Sequence, residues 1–116
     1  MPRRFIGLGD LKEDFLVIAV DYDAVVKEEV VNTADVFVVD DKQQYLATRA
    51  KGPYFKNYPD KVELDMGDIC TRRIEYLKSK PKKAAVLLEI ASHDVVVTKL
   101  AYEKAVKLGI GATLPL

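Results

Sequence analysis

Apolar residues fall in short runs separated by polar turns, and their spacing switches between the period of a strand and that of a helix. Residues 15–20, Phe-Leu-Val-Ile-Ala-Val, form a nearly continuous apolar run that stops at Asp21-Tyr22-Asp23. A run of that length ended by turn residues predicts a strand buried on both faces. Tyr22, Val25, Val26, Val30 and Thr33 then recur at roughly helical spacing, with Asp23 placed to cap the start. The valines pull the other way, because β-branched side chains favour strands. Residues 36–39, Val-Phe-Val-Val, predict a second buried strand ending at Asp40-Asp41.

The polar stretch 41–44 reads as a turn. Residues 45–50 alternate behind it, with Tyr45, Ala47 and Arg49 on one face and Leu46 and Thr48 on the other. Together they predict a hairpin, although no Asn-Gly turn marks it. Pro53 and Pro59 make 52–61 a loop, and 62–66 alternates as a half-buried strand. Asp68 stands where a helix N-cap belongs, followed at helical spacing by Ile69, Cys70, Arg73, Ile74 and Leu77, with Pro81 closing the region. Residues 84–90 predict another apolar strand. Ser92 or Asp94 would cap a last helix with Val97, Leu100, Ala101, Ala105 and Leu108 as its inner stripe and Gly109 as its left-handed C-cap. Residues 112–116 predict a short edge strand.

The order is thus β-α-β-β-β-α-β-α-β. It implies an α/β fold: a single domain over residues 1–116, with a mixed sheet of five or six strands and two or three helices.

At 116 residues, 49 % of them hydrophobic, the chain suits one domain with a sizeable core. A single cysteine forms no internal disulfide, which favours a reducing compartment. The N-terminal stretch lacks the apolar segment of a signal peptide, and no apolar run is long enough to cross a bilayer. The expectation is a soluble cytoplasmic protein with no membrane partner. Few Asn and Gln beside many Lys and Glu is a pattern reported for thermophile proteins.

The formal charge of zero hides a segmental split. Residues 1–41 carry 4 basic and 10 acidic side chains, residues 42–83 carry 11 and 5, and residues 84–116 carry 3 of each. Such asymmetry points toward partners or self-assembly.

Four groups of residues carry candidate chemistry. Asp21, Asp23 and Asp40 follow apolar strands. If those strands are parallel, the carboxylates share the edge where open α/β sheets bind ligands, and they would suit Mg²⁺ in a phosphoryl-transfer or phosphoester-hydrolysing enzyme. Asp at a strand end also serves simply to turn the chain. His93, the only histidine, stands in Ser92-His93-Asp94 at a strand-to-helix turn, where it would act as an acid/base or phosphate contact; the plain alternative is a capped helix with His93 in solvent. The third group is basic, with Arg49, Lys51, Lys56 and Lys61 interleaved with Tyr54, Phe55 and Tyr58, then Arg72 and Arg73. Cations for phosphates and aromatic faces for bases suit nucleic acid or another phosphorylated ligand; the alternative packs the aromatics on the sheet and leaves the lysines wet. Cys70 lies beside Arg72 and Arg73 in the first turn of a helix, a setting for a reactive thiol, although its shared face with Ile74 and Leu77 favours the core. Gly7-Leu8-Gly9 lacks the third glycine and the strand-then-helix setting of a dinucleotide fingerprint.

These features favour a binding or assembly module that contacts phosphate-bearing partners through the basic middle segment and needs no cofactor. The Mg²⁺ enzyme is one alternative. A homo-oligomeric structural protein without a ligand is another.

Overall fold

The apolar runs become neighbouring strands of one sheet. The computed structural model describes residues 3–20, 22–72 and 74–115. Strands β1 (Phe15–Ala19), β2 (Val36–Val39), β3 (Leu64–Asp65) and β4 (Lys82–Val86) form a four-stranded sheet in the order β1-β4-β2-β3. Every pairing is parallel, and the register sets Ile18 beside Ala85 and Ala85 beside Val38. Helices α1 (Glu28–Thr33), α2 (Lys42–Ala50), α3 (Met66–Thr71) and α4 (Ala91–Leu108) follow the strands in turn. Short 3-10 turns occupy Leu8–Asp10 and Glu75–Ser79.

Because side chains alternate along a strand, the sheet offers two apolar faces. One is fully covered. Val30 and Val31 of α1, Tyr45 of α2 and the loop residues Phe55 and Tyr58 pack over Ala19, Val39, Ala84 and Val86. The rings meet at centroid separations of 5.1 Å for Tyr45–Phe55 and 5.7 Å for Phe55–Tyr58, in tilted arrangements that suit aromatic quadrupoles. The buried hydroxyls are satisfied: Tyr45 donates to the Pro59 carbonyl at 2.6 Å and Tyr58 donates to the Val26 carbonyl. The other face is covered only in part. Val38 and Leu64 lie under Leu77, with Met66, Ile69 and Ile74 around them. Beside that cluster Leu16, Ile18 and Val20 remain exposed, at 64, 54 and 61 %.

Among the described residues the structure is α/β, with four strands rather than five or six, four α-helices rather than two or three, and no antiparallel pair. Residues 45–50 are the reason for the last difference. They continue α2, which starts at Asp41, whose carboxylate accepts the Gln44 N–H at 2.7 Å. Lys, Gln, Leu, Ala and Arg are strong helix formers, and Tyr45 with Arg49 lie one helical turn apart. Propensity and the cap outweigh the alternation, so the predicted hairpin does not form. The predicted terminal strand is absent too: residues 112–115 follow α4 as exposed coil, and Leu116 lies outside the described residues. The helix expected from residue 22 begins at Glu28. Asp65, not Asp68, caps α3; the two form a reciprocal capping box, and α3 ends at Thr71. No side chain caps α4, whereas Gly109 adopts the expected left-handed C-cap with φ 65°. Cys70 is exposed rather than in the core. Of the stripe expected to face inward from α4, Ala105 alone is half-buried and the rest is exposed.

Burial drives the Tyr45 pKa up to about 12, and it raises Tyr58 as well. The folded state therefore holds protons that the unfolded chain releases near pH 10. A folded-state pKa above the unfolded one gives stability that is complete below pH 10 and declines above it. Each retained proton steepens the decline by about 1.4 kcal/mol per pH unit. The urea midpoint should fall between pH 10 and 12, and Tyr45→Phe should make that fall shallower. An equal slope in the variant would show that Tyr45 is not protected.

Candidate functional site

Parallel strands bring their C-terminal ends to one edge, and two of the sequence candidates, Asp40 and His93, line a crevice there. The segment after β4 is splayed there. Leu87 N–H still pairs with the Ala19 carbonyl at 2.9 Å, while Leu88 N–H donates to Asp40 Oδ2 at 2.7 Å. Asp40 is buried, and its Oδ1 accepts the Asp41 N–H at 3.1 Å. This carboxylate thus bridges the ends of β2 and β4. Glu89 follows with φ 63°, an uncommon conformation for a residue with a Cβ, and α4 begins two residues later. The resulting crevice, of about 330 Å³, is lined by Val20, Asp40, Leu87, Glu89, Ile90, His93 and Asp94. It brings Asp40 and His93 together. Its three carboxylates and single imidazole make it a poor place for a phosphate, and the Asp40 oxygens are already taken by main-chain N–H groups.

Asp23 has a different task. Arg4 grips it from both sides, Nε to Oδ1 at 2.8 Å and Nη2 to Oδ2 at 3.0 Å, and Asp23 Oδ2 also accepts the Phe55 N–H at 2.7 Å. Arg4 Nη1 reaches Glu28 at 3.0 Å and the Lys56 carbonyl at 3.1 Å, and the guanidinium lies 4.4 Å from the Tyr58 ring centroid. One ion pair therefore ties the N-terminal segment, the β1–α1 turn, α1 and the aromatic loop. Asp21 lies outside the described residues. Among the described residues, no three His, Cys, Asp or Glu side chains converge as a metal site. Asp23 and Asp40 both spend their oxygens on main-chain N–H groups, so the structure supplies no preformed Mg²⁺ cluster from them.

The basic segment divides between core and surface. Tyr58, a candidate for base stacking, is buried beneath Arg4, so no base reaches it; Phe55 beside it is fully buried. Tyr54 is exposed and meets Tyr22 edge-on at 5.1 Å. Lys51, Lys56 and Lys61 are exposed and, among the described residues, form no ion pair. Arg49 is half-buried on α2, and its Nε is enclosed without a hydrogen-bond partner. Arg72 pairs with Asp68 at 3.0 Å, and Arg73 lies outside the described residues.

A second ionic cluster carried no local sequence signal. Lys42 Nζ, at the start of α2, lies 2.6 Å from Asp68 and 3.5 Å from Asp65. The Lys42 hydrogen bond, then the Asp65 N–H, holds the Asp68 carboxyl below its ordinary range. Arg4 was equally hidden, because its partner Asp23 stands 19 residues away.

All ion pairs among the described residues join residues of the same charge segment. Among the described residues, the acidic first third and the basic middle do not pair with each other. Comparison of the chain with protein-family models, curated proteins and solved structures returns no match.

Arg4 and Asp23 are both largely withdrawn from water, with side-chain exposures of 15 and 4 %. Removing one partner of such a pair strands the other. Arg4→Met should therefore cost about 3 kcal/mol in urea unfolding. It should also expose the aromatic loop to limited proteolysis near residue 56. A loss below about 1 kcal/mol, the range of a surface pair, would contradict the bridging role.

Proposed function

We propose that this chain is a binding and assembly module whose domain is completed by contact with another protein chain. Helix α4 carries the reading. Val95, Val96, Val97, Leu100, Tyr102, Val106 and Leu108 are 57–68 % exposed and occupy several sides of its 18 residues. A helix apolar on all sides is normally buried. Three consecutive valines are poor helix formers, and short helices gain most of their stability from tertiary packing. The uncovered strip of Leu16, Ile18 and Val20 adds a second apolar surface. Light scattering on the purified chain should give a mass of at least two chains. A single-chain mass at every concentration would refute self-assembly.

A second reading rests on Lys51, Lys56 and Lys61, which stand exposed and, among the described residues, form no ion pair. Through them the module would contact a phosphate-bearing partner, nucleic acid or nucleotide. Burial of Phe55 and Tyr58 leaves the loop one exposed aromatic for stacking, Tyr54, so this contact would be chiefly electrostatic. Fluorescence anisotropy across a salt series should then show affinity falling steeply with salt. Changing the three lysines to Gln should reduce the slope of log affinity against log salt by roughly 2–3. Binding indifferent to salt would sink this second reading. The Mg²⁺ enzyme has less support, since Asp23 and Asp40 already serve the fold.

A further inference from the structure

We infer that two copies of this chain exchange α4, each laying the helix into the uncovered slot on the partner's sheet. The inference rests on the assembly reading and specifies its geometry.

The slot has the dimensions of one helix. On the incompletely covered face, α3 and the 3-10 turn Glu75–Ser79 pack over the β2–β3 side and reach Ala85, leaving β1 bare and β4 half-covered. Two strands spaced about 4.8 Å apart make a strip about 10 Å wide, which matches the roughly 10 Å diameter of a helix with its side chains. The strip presents Leu16 and Ile18, and a groove of about 660 Å³ runs between Leu16 and the wall formed by Ile69, Ile74 and Leu77, with the charged Arg72, Glu75, Lys78 and Lys83 completing its lining. The described part of the molecule has one long helix without a covering layer. At 18 residues, α4 is about 27 Å long, enough to cross the strip from end to end. Its predicted stripe of Val97, Leu100, Ala101, Ala105 and Leu108 has small residues near its centre, which allow close approach to a sheet.

The area available identifies the occupant as a second copy. The chain exposes 8574 Å², about 2,200 Å² more than the roughly 6,300 Å² of a compact monomer of this size. Its radius of gyration is 17.4 Å, against about 13 Å for a compact domain of this length. A stable interface needs about 800 Å² from each partner. The excess exceeds that, and each copy carries both the helix and the slot. A two-fold exchange therefore satisfies both surfaces at once, as an isologous contact requires. Helix α4 stands exposed along nearly its whole length after Glu89, which occupies the left-handed region.

The test needs the mass of the unmodified chain and two cysteine variants, each also carrying Cys70→Ser. Ile18→Cys and Val97→Cys chains are refolded together and treated with a short bis-maleimide. The expected product has twice the chain mass, with peptide mapping placing the link between positions 18 and 97. A second pair, Leu16→Cys with Ala101→Cys, covers a perturbed strand in the first. If the unmodified chain is dimeric but neither pair links, the exchange is overturned while the assembly reading stands. If the unmodified chain is monomeric and the double variant Ile18→Cys/Val97→Cys links within one chain, α4 closes on its own sheet. That result overturns both the exchange and the assembly reading, and so does a monomer that gives no link.

Discussion

The covered face of the sheet depends on one buried carboxylate. Asp23 accepts the main-chain N–H of Phe55, and that bond holds a loop whose backbone is otherwise unfavourable. Phe55 and Asn57 both sit at positive φ, 55° and 64°, at a cost of order 1 kcal/mol or more each. With the loop held, the Phe55 and Tyr58 rings reach Tyr45 and close the layer over β2 and β4. Arg4 makes the burial of Asp23 tolerable, because a buried carboxylate without a counter-charge would protonate or disrupt its surroundings. The aromatic layer, the turn after β1 and the N-terminal segment therefore stand or fall together.

Local patterns in the sequence were legible where one periodicity dominated. The apolar runs at 15–20 and 36–39 became β1 and β2, although β1 is exposed on one face rather than buried on both; of the run at 84–90 only 84–86 lie in β4, which starts at Lys82, and Gly109 ended α4 as its lack of a Cβ suggests. Residues 45–50 were misread because an alternating pattern and a helix both place Tyr45 and Arg49 on one side; the Asp41 cap, visible only as part of a polar stretch, decides between them. Asp23 and Asp40 do stand after strands, yet their hydrogen-bond partners lie far along the chain. Asp23 meets residue 55 and Asp40 meets residue 88, and no spacing rule announces contacts of that range.

The two faces of the sheet differ in a way that composition could not reveal. A chain that is 49 % hydrophobic has enough apolar surface to cover both faces. Here it covers one completely, and the other over β2 and β3 only. The remaining apolar residues are concentrated on α4 and β1. Scattered exposed apolar residues are ordinary on any protein; a whole helix and an adjacent strand strip are not. Hydrophobic free energy left unrealised on two complementary surfaces drives them together, within a chain or between chains.

The charge split follows from the same division of labour. Asp10, Asp23, Glu29, Asp35, Asp40 and Asp41 each accept a main-chain N–H, so most of the acidic surplus in the first third serves as caps and strand-end ties. Lysine has no acceptor and cannot do this work. Lys42 and Arg72 of the middle segment are tied to Asp68, whereas Lys51, Lys56 and Lys61 form no ion pair among the described residues and project from the loop whose aromatics are committed to the core. An anion approaching this loop would meet positive charge with its own fold's carboxylates engaged elsewhere. The field at a surface depends on local charge and falls off within about 8 Å at physiological salt, so a net charge of zero does not cancel it.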